Sequence, residues 1–294
     1  MIAGHRCEYT YFPWVVESAH AKGLIFLSAD HRLIHPSTGS DIIADVRALF
    51  AFLASPSFSA AHLPLGVELD PERLAVMGIS GGGYAARAAA LYAEPRPRAA
   101  YLLYAMGGDF LSDHWLAVKE PAATLVIGPI DIKPGWDAVK HLLENEPAPA
   151  TEAPSGRLTL LSWFWRTGTL LDHVLGEPIS AGLRALPKDG RLAAVPVRLR
   201  PALLLETQSG PGGFPPTFLL HGGADAVVPV AESRATYERL LGAGVEVEIA
   251  VIEGAPHGLI AGFAPVRFVE GAEEAHERGM EFVARFLGCP AAGL

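Results

Sequence analysis

Three side chains of this sequence have the types needed for covalent acyl transfer: a serine, an aspartate and a histidine, in that chain order. Ser80 lies in the pentapeptide GISGG at positions 78–82, and Asp225 and His257 follow it. A serine hydroxyl is a weak nucleophile, so it needs a base within hydrogen-bonding distance and a third group that orients the base. His257 is the candidate base and Asp225 is the candidate orienting group.

The residues on either side of Ser80 predict a sharp turn from a strand into a helix. The apolar run at 74–77 favours a buried strand, and the alanine-rich run at 84–93 favours a helix that stops before Pro95. In such an elbow, Gly78 and Gly82 are expected to relieve crowding around the serine. The backbone N–H groups of Gly81 and Gly82 are the candidates for stabilising an oxyanion.

Asp225 and His257 each follow a predicted strand. The run 216–221 precedes Asp225, and the run 245–252, predicted to lie near a sheet edge, precedes His257, with a helix at 231–241 between them. Their order after the serine suits one catalytic site at the strand ends. His221 precedes a Gly-Gly turn and is predicted to be structural. No His-Glu-x-x-His motif or paired Cys/His spacing is present, so we expect no metal and no cofactor.

The alternation of strands and helices predicts an α/β fold with a mostly parallel sheet covered on both faces. The further predicted elements are a buried strand at 23–28, a helix at 41–54 capped by Ser40 or Asp41, a strand at 98–106 and a terminal helix at 272–287. The pattern breaks at 107–213, so we expect one domain over 1–294 with 107–213 as an inserted helical cap. The cap cluster Trp163, Phe164 and Trp165 is a candidate substrate pocket, although such clusters are more often core.

Composition excludes several classes of protein. The chain has 294 residues, half of them apolar, and a formal net charge of −9, which is ample for a large core and argues against nucleic acid or an anionic membrane as partner. The sequence contains no run of 18 apolar residues, so no membrane span is expected. Cys7 and Cys289 lie at opposite ends and are expected to be free thiols. The first residues lack the apolar core of a signal peptide, but a shortened start would lack one as well. A cytoplasmic location is the expectation.

The order and contexts of Ser80, Asp225 and His257 resemble the α/β-hydrolase superfamily. The sequence DHRL at 30–33, followed by the D-x-x-x-D pattern at 41–45, resembles a segment of the hormone-sensitive-lipase-like esterases, the α/β-hydrolase fold-3 family. The resemblance extends from about residue 12 to 287 and is weakest in the cap. It implies an α/β-hydrolase fold in which Asp30 and Arg32 brace the sheet near the site.

The resemblance also implies a reaction. Ser80 would attack the carbonyl carbon of a small apolar carboxylic ester while His257 accepts its proton and Asp225 holds the imidazole tautomer. Water would then hydrolyse the acyl-enzyme with His257 as base. Activity should fall below about pH 6, where an ordinary imidazole becomes protonated.

One family feature is missing from this sequence. Fold-3 members carry an HGGG loop ahead of the DHRL-like segment, whereas the HGG present here lies at 221–223, beside the acid. We therefore expect a weakened oxyanion hole, since loss of one donor costs about 10²–10³ in rate. The strand that leads into this loop is absent as well, so the strands at 23–28 and 74–77 should either pair directly or have unpaired edges. The chain is interpreted as an N-terminally shortened family member.

Two other functions remain open from the sequence. The segments GISGGGY and HGGADAVVP also resemble the catalytic domain of prolyl oligopeptidase-like peptidases, which would prefer prolyl amides to short esters. Alternatively, the chain is a non-catalytic member of the fold that binds a small apolar ligand or a partner. The complete set of three side chains argues against the binder, and the absent loop argues for it.

Overall fold

The computed structural model describes residues 1–6, 13–127, 130–133, 135–144, 154–206, 213–263 and 266–289. Its strands are β1 (Ala75–Ile79), β2 (Ala99–Leu103), β3 (Leu125–Ile127), β4 (Ile130–Ile132), β5 (Thr217–Gly222), β6 (Val247–Ile252), β7 (Ile260–Phe263) and β8 (Val266–Phe268). The central sheet is parallel, with strand order β1-β2-β5-β6. Two short antiparallel pairs, β3–β4 and β7–β8, lie outside it.

Helices surround this sheet. They are α1 (Pro13–Ala21), α2 (Gly39–Leu53), α3 (Phe58–His62), α4 (Gly83–Tyr92), α5 (Asp113–Leu116), α6 (Trp136–Glu144), α7 (Pro154–Thr167), α8 (Leu170–Leu175), α9 (Ser180–Arg184), α10 (Lys188–Ala194), α11 (Val230–Gly242) and α12 (Ala272–Phe286). The described residues between β2 and β5 lie mainly in helices. Within the described residues, no helix has the length and apolarity needed to cross a membrane.

The strands bury both faces, as expected of a parallel sheet between helices. Leu102 and Leu219 face Ala86 of α4 on one side. Tyr101 and Phe218, each one position away along its strand, face α12 on the other side. The two-residue period of the strands therefore distributes the apolar side chains to the two helical layers.

Helix α2 begins slightly earlier than its sequence predicts. Thr38, rather than Ser40 or Asp41, is the N-cap residue. The carboxylate of Asp41 accepts a 2.8 Å hydrogen bond from the Thr38 backbone N–H, so Asp41 acts from the third helical position. Arg32 binds Asp41 and Asp45 at 2.8 Å each, which ties the DHRL segment to this helix.

The prediction of a strand at 23–28 is wrong. Residues 24–30 have no regular secondary structure. Leu24 and Phe26 pack in the same cluster as Met77 of β1, whereas Ile25 and Leu27 are about two-fifths exposed (39% and 43%). The segment does not pair with β1, which forms the edge of the four-stranded sheet. A short apolar run becomes a strand only where a neighbouring strand bonds its backbone groups.

Candidate active site

Ser80 lies on a strained turn directly after β1. Its φ of 51° is left-handed, a conformation that is costly for a non-glycine residue and often found at functional sites. A Cβ on Gly78 would lie 2.5 Å from the Cβ of Ala86, and one on Gly83 would lie 2.3 Å from the Cβ of Ala105. Gly78 and Gly83 therefore permit the close approach of strand and helix, whereas a Cβ on Gly82 would meet no atom within 4 Å.

The three candidate catalytic side chains form a chain of hydrogen-bonding contacts with His257 in the middle. The Oγ of Ser80 is 2.9 Å from Nε2 of His257. Nδ1 of His257 is 2.7 Å from Oδ2 of Asp225. Because a carboxylate oxygen only accepts, Nδ1 carries the proton and Nε2 is left to accept the serine proton. This is the arrangement that a serine nucleophile requires.

Main-chain hydrogen bonds join the two loops that carry Asp225 and His257. The N–H of Gly223 donates to Ile252 O at 2.8 Å, and the N–H of Ala224 donates to Ala255 O at 3.0 Å. A Cβ on Gly222 would lie 2.4 Å from Ala255 O, so only glycine permits this approach. The pairing of β5 with β6 thus extends beyond the strand ends and brings Asp225 close to His257.

The environment of Asp225 keeps its carboxylate ionised. Burial alone would raise the pKa of Asp225, but polar contacts with His221 and His257 outweigh burial and hold the pKa well below its usual range. The backbone N–H groups of Val227 and Val228 each donate to Oδ1 at 2.9 Å. Asp225 can therefore orient and stabilise an imidazolium at His257 without becoming protonated itself.

The ring of His257 is held by packing as well. Tyr104 lies edge-on to it, with the ring centroids 4.9 Å apart. Tyr104 is 2% exposed and has a positive φ of 34° at the end of β2. Since the tyrosine is buried, its pKa is raised and its phenol stays neutral beside Asp225. Sequence reasoning missed Tyr104, because the strand predicted at 98–106 includes this residue, whereas β2 ends at Leu103.

A small apolar cavity of about 80 Å³ opens at Ser80. It is lined by Met1, Ile2, Ala3, Ser80, Gly81, Met106, Ile127, Leu158, Leu161 and Val227. Gly81, a predicted oxyanion donor, thus lies on the wall of the cavity next to the nucleophile. Gly82, the second predicted donor, is not among these lining residues.

The three aromatic residues predicted to form the pocket lie elsewhere on α7. Phe164 is fully buried and stacks on His173, with the ring centroids 3.7 Å apart. Trp163 packs against Trp136, and Trp165 packs against His114. The helix contributes Leu158 and Leu161 to the cavity instead. Nothing in the sequence separates these two leucines from the other apolar residues of the helix.

No cluster of three or more His, Cys, Asp or Glu side chains that could hold a metal ion occurs in the described part of the chain.

Comparison with solved structures gives the fold. An esterase/lipase from an uncultured bacterium superposes with a TM-score of 0.55 at 15% identity, over 98% of this chain and 73% of that chain. The thermophilic carboxylesterase EstE1, cloned from a metagenomic library, superposes with a TM-score of 0.53 at 18% identity, over 98% of this chain and 82% of that chain. A butyrate-bound thermophilic esterase of Thermogutta terrifontis, Est2, superposes with a TM-score of 0.52 at 19% identity, over 97% of this chain and 80% of that chain.

Sequence comparison gives distant relatives. A probable carboxylesterase M8 of Phoma sp. (strain ATCC 20986 / MF5453) is 27% identical over 237 residues, covering 78% of this chain and 66% of the relative. The non-reducing polyketide synthase ausA of Aspergillus calidoustus is 23% identical over 305 residues, covering 94% of this chain and 12% of the synthase. No protein-family model matches the chain.

The sheet, the elbow and these structural neighbours identify the class of protein: the chain has the α/β-hydrolase fold. The predicted fold class is therefore confirmed. These three solved proteins are esterases or lipases, and one of the distant sequence relatives is a probable carboxylesterase.

Proposed function

We propose that this protein is a serine hydrolase that cleaves carboxylic esters with short, apolar acyl groups. The observation that carries the proposal is the continuous contact from Ser80 through His257 to Asp225, at 2.9 and 2.7 Å. The carboxylesterases and esterases among the similar proteins support the reaction class.

In the proposed reaction, Ser80 attacks the ester carbonyl as His257 Nε2 takes the hydroxyl proton. The tetrahedral intermediate collapses to an acyl-serine when His257 returns the proton to the leaving alcohol. Water, deprotonated by His257, then releases the acid. Asp225 stabilises the imidazolium in both steps, and the N–H of Gly81 serves as an oxyanion donor.

The cavity limits the acyl group. Its volume of about 80 Å³ is well below the roughly 300–1,000 Å³ of common ligand pockets, which favours a small acyl group. Apart from Ser80, its lining is apolar side chains and small residues, which suits an aliphatic acyl chain of about two to four carbons. The leaving alcohol would occupy the open side of the serine.

A panel of chromogenic esters with acyl chains from two to ten carbons tests the proposal. We expect kcat/KM to be highest for the short chains and to fall beyond about four carbons. Ser80→Ala should abolish turnover, whereas Ser18→Ala, which removes an exposed hydroxyl bound to Glu277, should not change it. Equal rates for wild type and Ser80→Ala would refute the hydrolase, and a preference for prolyl amides would indicate a peptidase.

Leu161 offers a direct test of the acyl pocket. Leu161→Ala removes one wall of the cavity, so the optimum should move to longer acyl chains, with each added methylene worth about 0.8 kcal/mol of binding. Leu160→Ala is the matched control, because Leu160 is fully buried on the same helix but does not line the cavity. The pocket assignment fails if both variants keep the wild-type chain-length profile.

A further inference from the structure

We propose that His221 is a positioning residue of this site, which holds the Asp225 carboxylate and the turn that carries it and so acts on His257 through Asp225. Its sequence position before a Gly-Gly turn predicts only a structural role. The kinetic part of the proposal rests on the proposed ester hydrolysis, and the geometric part does not.

The hydrogen bonds of His221 fix which nitrogen carries the proton. Nε2 lies 2.8 Å from the carbonyl oxygen of Val228. A carbonyl only accepts hydrogen bonds, so Nε2 is protonated. Nδ1 lies 2.7 Å from Oγ of Ser233 on α11 and, in the neutral ring, accepts from that hydroxyl. Both ring nitrogens thus have partners, and the residue has no exposed surface.

The protonated nitrogen of His221 also faces the acid. Nε2 is 3.3 Å from Oδ2 of Asp225, the same oxygen that accepts from His257 Nδ1. The positive end of this N–H therefore stabilises the buried carboxylate charge at the atom that orients the base.

A second route runs through Val228. Its carbonyl accepts from His221, while its backbone N–H donates to Oδ1 of Asp225 at 2.9 Å. His221 is therefore connected to both carboxylate oxygens of Asp225, to Oδ2 directly and to Oδ1 through the backbone of a single residue, Val228. Loss of the imidazole would leave the Val228 carbonyl unpaired in the interior and free the turn to shift.

Two substitutions at the same position separate positioning from packing. His221→Leu keeps an apolar volume but has no donor. His221→Gln places an amide N–H close to the position of Nε2, where it can donate to Val228 O and approach Asp225. With a short-chain ester, we expect His221→Leu to lower kcat roughly ten- to a hundredfold with little change in KM. His221→Gln should recover most of that loss.

His276→Leu is the matched control for loss of a buried imidazole. His276 is 2% exposed and contacts the hydroxyl of Tyr101 at 3.2 Å, in the layer around α12. The substitution His276→Leu should lower the melting temperature without changing kcat of the folded enzyme. Ser233→Ala, which removes only the anchor of His221, should lower kcat less than His221→Leu does. The proposal is overturned if His221→Leu affects kcat no more than His276→Leu, or if glutamine fails to rescue.

A measurement without turnover keeps the two proposals apart. In protein with ¹⁵N-labelled histidine, the proton on His257 Nδ1 reports its hydrogen bond to Asp225. Its resonance should move in His221→Leu and return towards the wild-type position in His221→Gln. An unchanged resonance in folded His221→Leu overturns the role of His221 even if wild type hydrolyses esters. An inactive wild type refutes the proposed function while the resonance still tests His221.

Discussion

At the scale of single residues, one buried carboxylate organises the polar chemistry at Ser80. Asp225 receives four polar contacts: two backbone N–H groups at Oδ1, and the imidazoles of His221 and His257 at Oδ2. A group bound in this way stays charged and holds one orientation. The base can then accept a proton with little rearrangement of its surroundings.

Asp225→Asn tests this role. The asparagine amide cannot stabilise an imidazolium and favours the wrong tautomer of His257, so kcat should fall by about 10⁴ with the fold intact. Steady-state hydrolysis of a short-chain ester measures the effect. Asp137→Asn, at an exposed aspartate paired with Lys140 on α6, should leave kcat unchanged. A kcat for Asp225→Asn within tenfold of wild type would show that the carboxylate is not part of the reaction.

The proximity of Ser80, Asp225 and His257 could be predicted because each follows a strand in a recognisable local sequence. The lining of the cavity could not. Leu158 and Leu161 are two apolar residues among many on α7, and only the packing of that helix decides which face reaches Ser80. The aromatic residues were misleading because large side chains at helical spacing satisfy the core equally well.

At the scale of elements, close contact between β1 and α4 sets the position of Ser80. The contact depends on Gly78, which lies against Ala86 and Gly83 of α4. Gly83 in turn lies against Ala105, which follows β2. The elbow is therefore a packing requirement as much as a chemical one.

Gly78→Ala should destabilise the protein and reduce activity together. Its Cβ would lie 2.5 Å from Ala86 Cβ and 2.8 Å from Gly83 Cα, an overpacking that typically costs about 1–3 kcal/mol. Urea unfolding and ester hydrolysis measure the two effects. Gly190→Ala is the control, because a Cβ there, within α10, meets no atom within 4 Å and should stabilise the protein by about 0.5–1 kcal/mol. Equal stability changes in the two variants would contradict the crowding argument.

A buried ion pair joins α4 and α11 through the segment between β2 and β5. Arg87 of α4 and Arg239 of α11 both bind Glu206, and Arg87 and Glu206 are almost fully buried. Glu206→Gln leaves the charge of Arg87 without its partner, so the free energy of unfolding should fall by about 3–5 kcal/mol.

Urea unfolding of Glu206→Gln can be compared with that of Glu177→Gln. Glu177 pairs with Arg198 at the surface, where water and salt screen the two charges and such pairs add little to stability. The two variants should therefore differ severalfold in their effect. Similar small losses would mean that the Glu206 pair contributes no more than a surface pair.

The elements themselves were largely predictable. β1, β2, β5 and β6 follow from short apolar runs bounded by turn residues, and β6 lies at a sheet edge as its alternating pattern predicts. The run at 23–28 has the same composition but forms no strand. Composition reports how apolar a segment is, whereas strand formation depends on a neighbour that only the tertiary structure supplies.

At the scale of the whole molecule, buried histidines make stability depend on pH. Burial lowers the pKa of His114, His173 and His276 to about 4 each. The unfolded chain, with imidazole pKa values near 6.5, binds more protons than the folded chain between these two values. The contribution of these neutral imidazoles to the free energy of unfolding is therefore fully present above about pH 6.5. It is lost as the pH falls from there towards 4.

Urea unfolding at a series of pH values between 8 and 4 should show this decline. His276 alone contributes roughly 3 kcal/mol over the window, because each pKa unit is worth about 1.4 kcal/mol. His276→Phe should show a shallower decline than wild type. A stability that stays constant from pH 7 to pH 4.5 would contradict the presence of these neutral, buried imidazoles.

The most direct test of the catalytic arrangement is covalent labelling by an activated phosphonate ester, with the modified residue located by mass spectrometry. Wild type should carry a single adduct on Ser80, and labelling should be several orders of magnitude slower in His257→Gln, which lacks the base. Labelling at another residue, or equal rates in wild type and His257→Gln, would contradict an activated serine at this site.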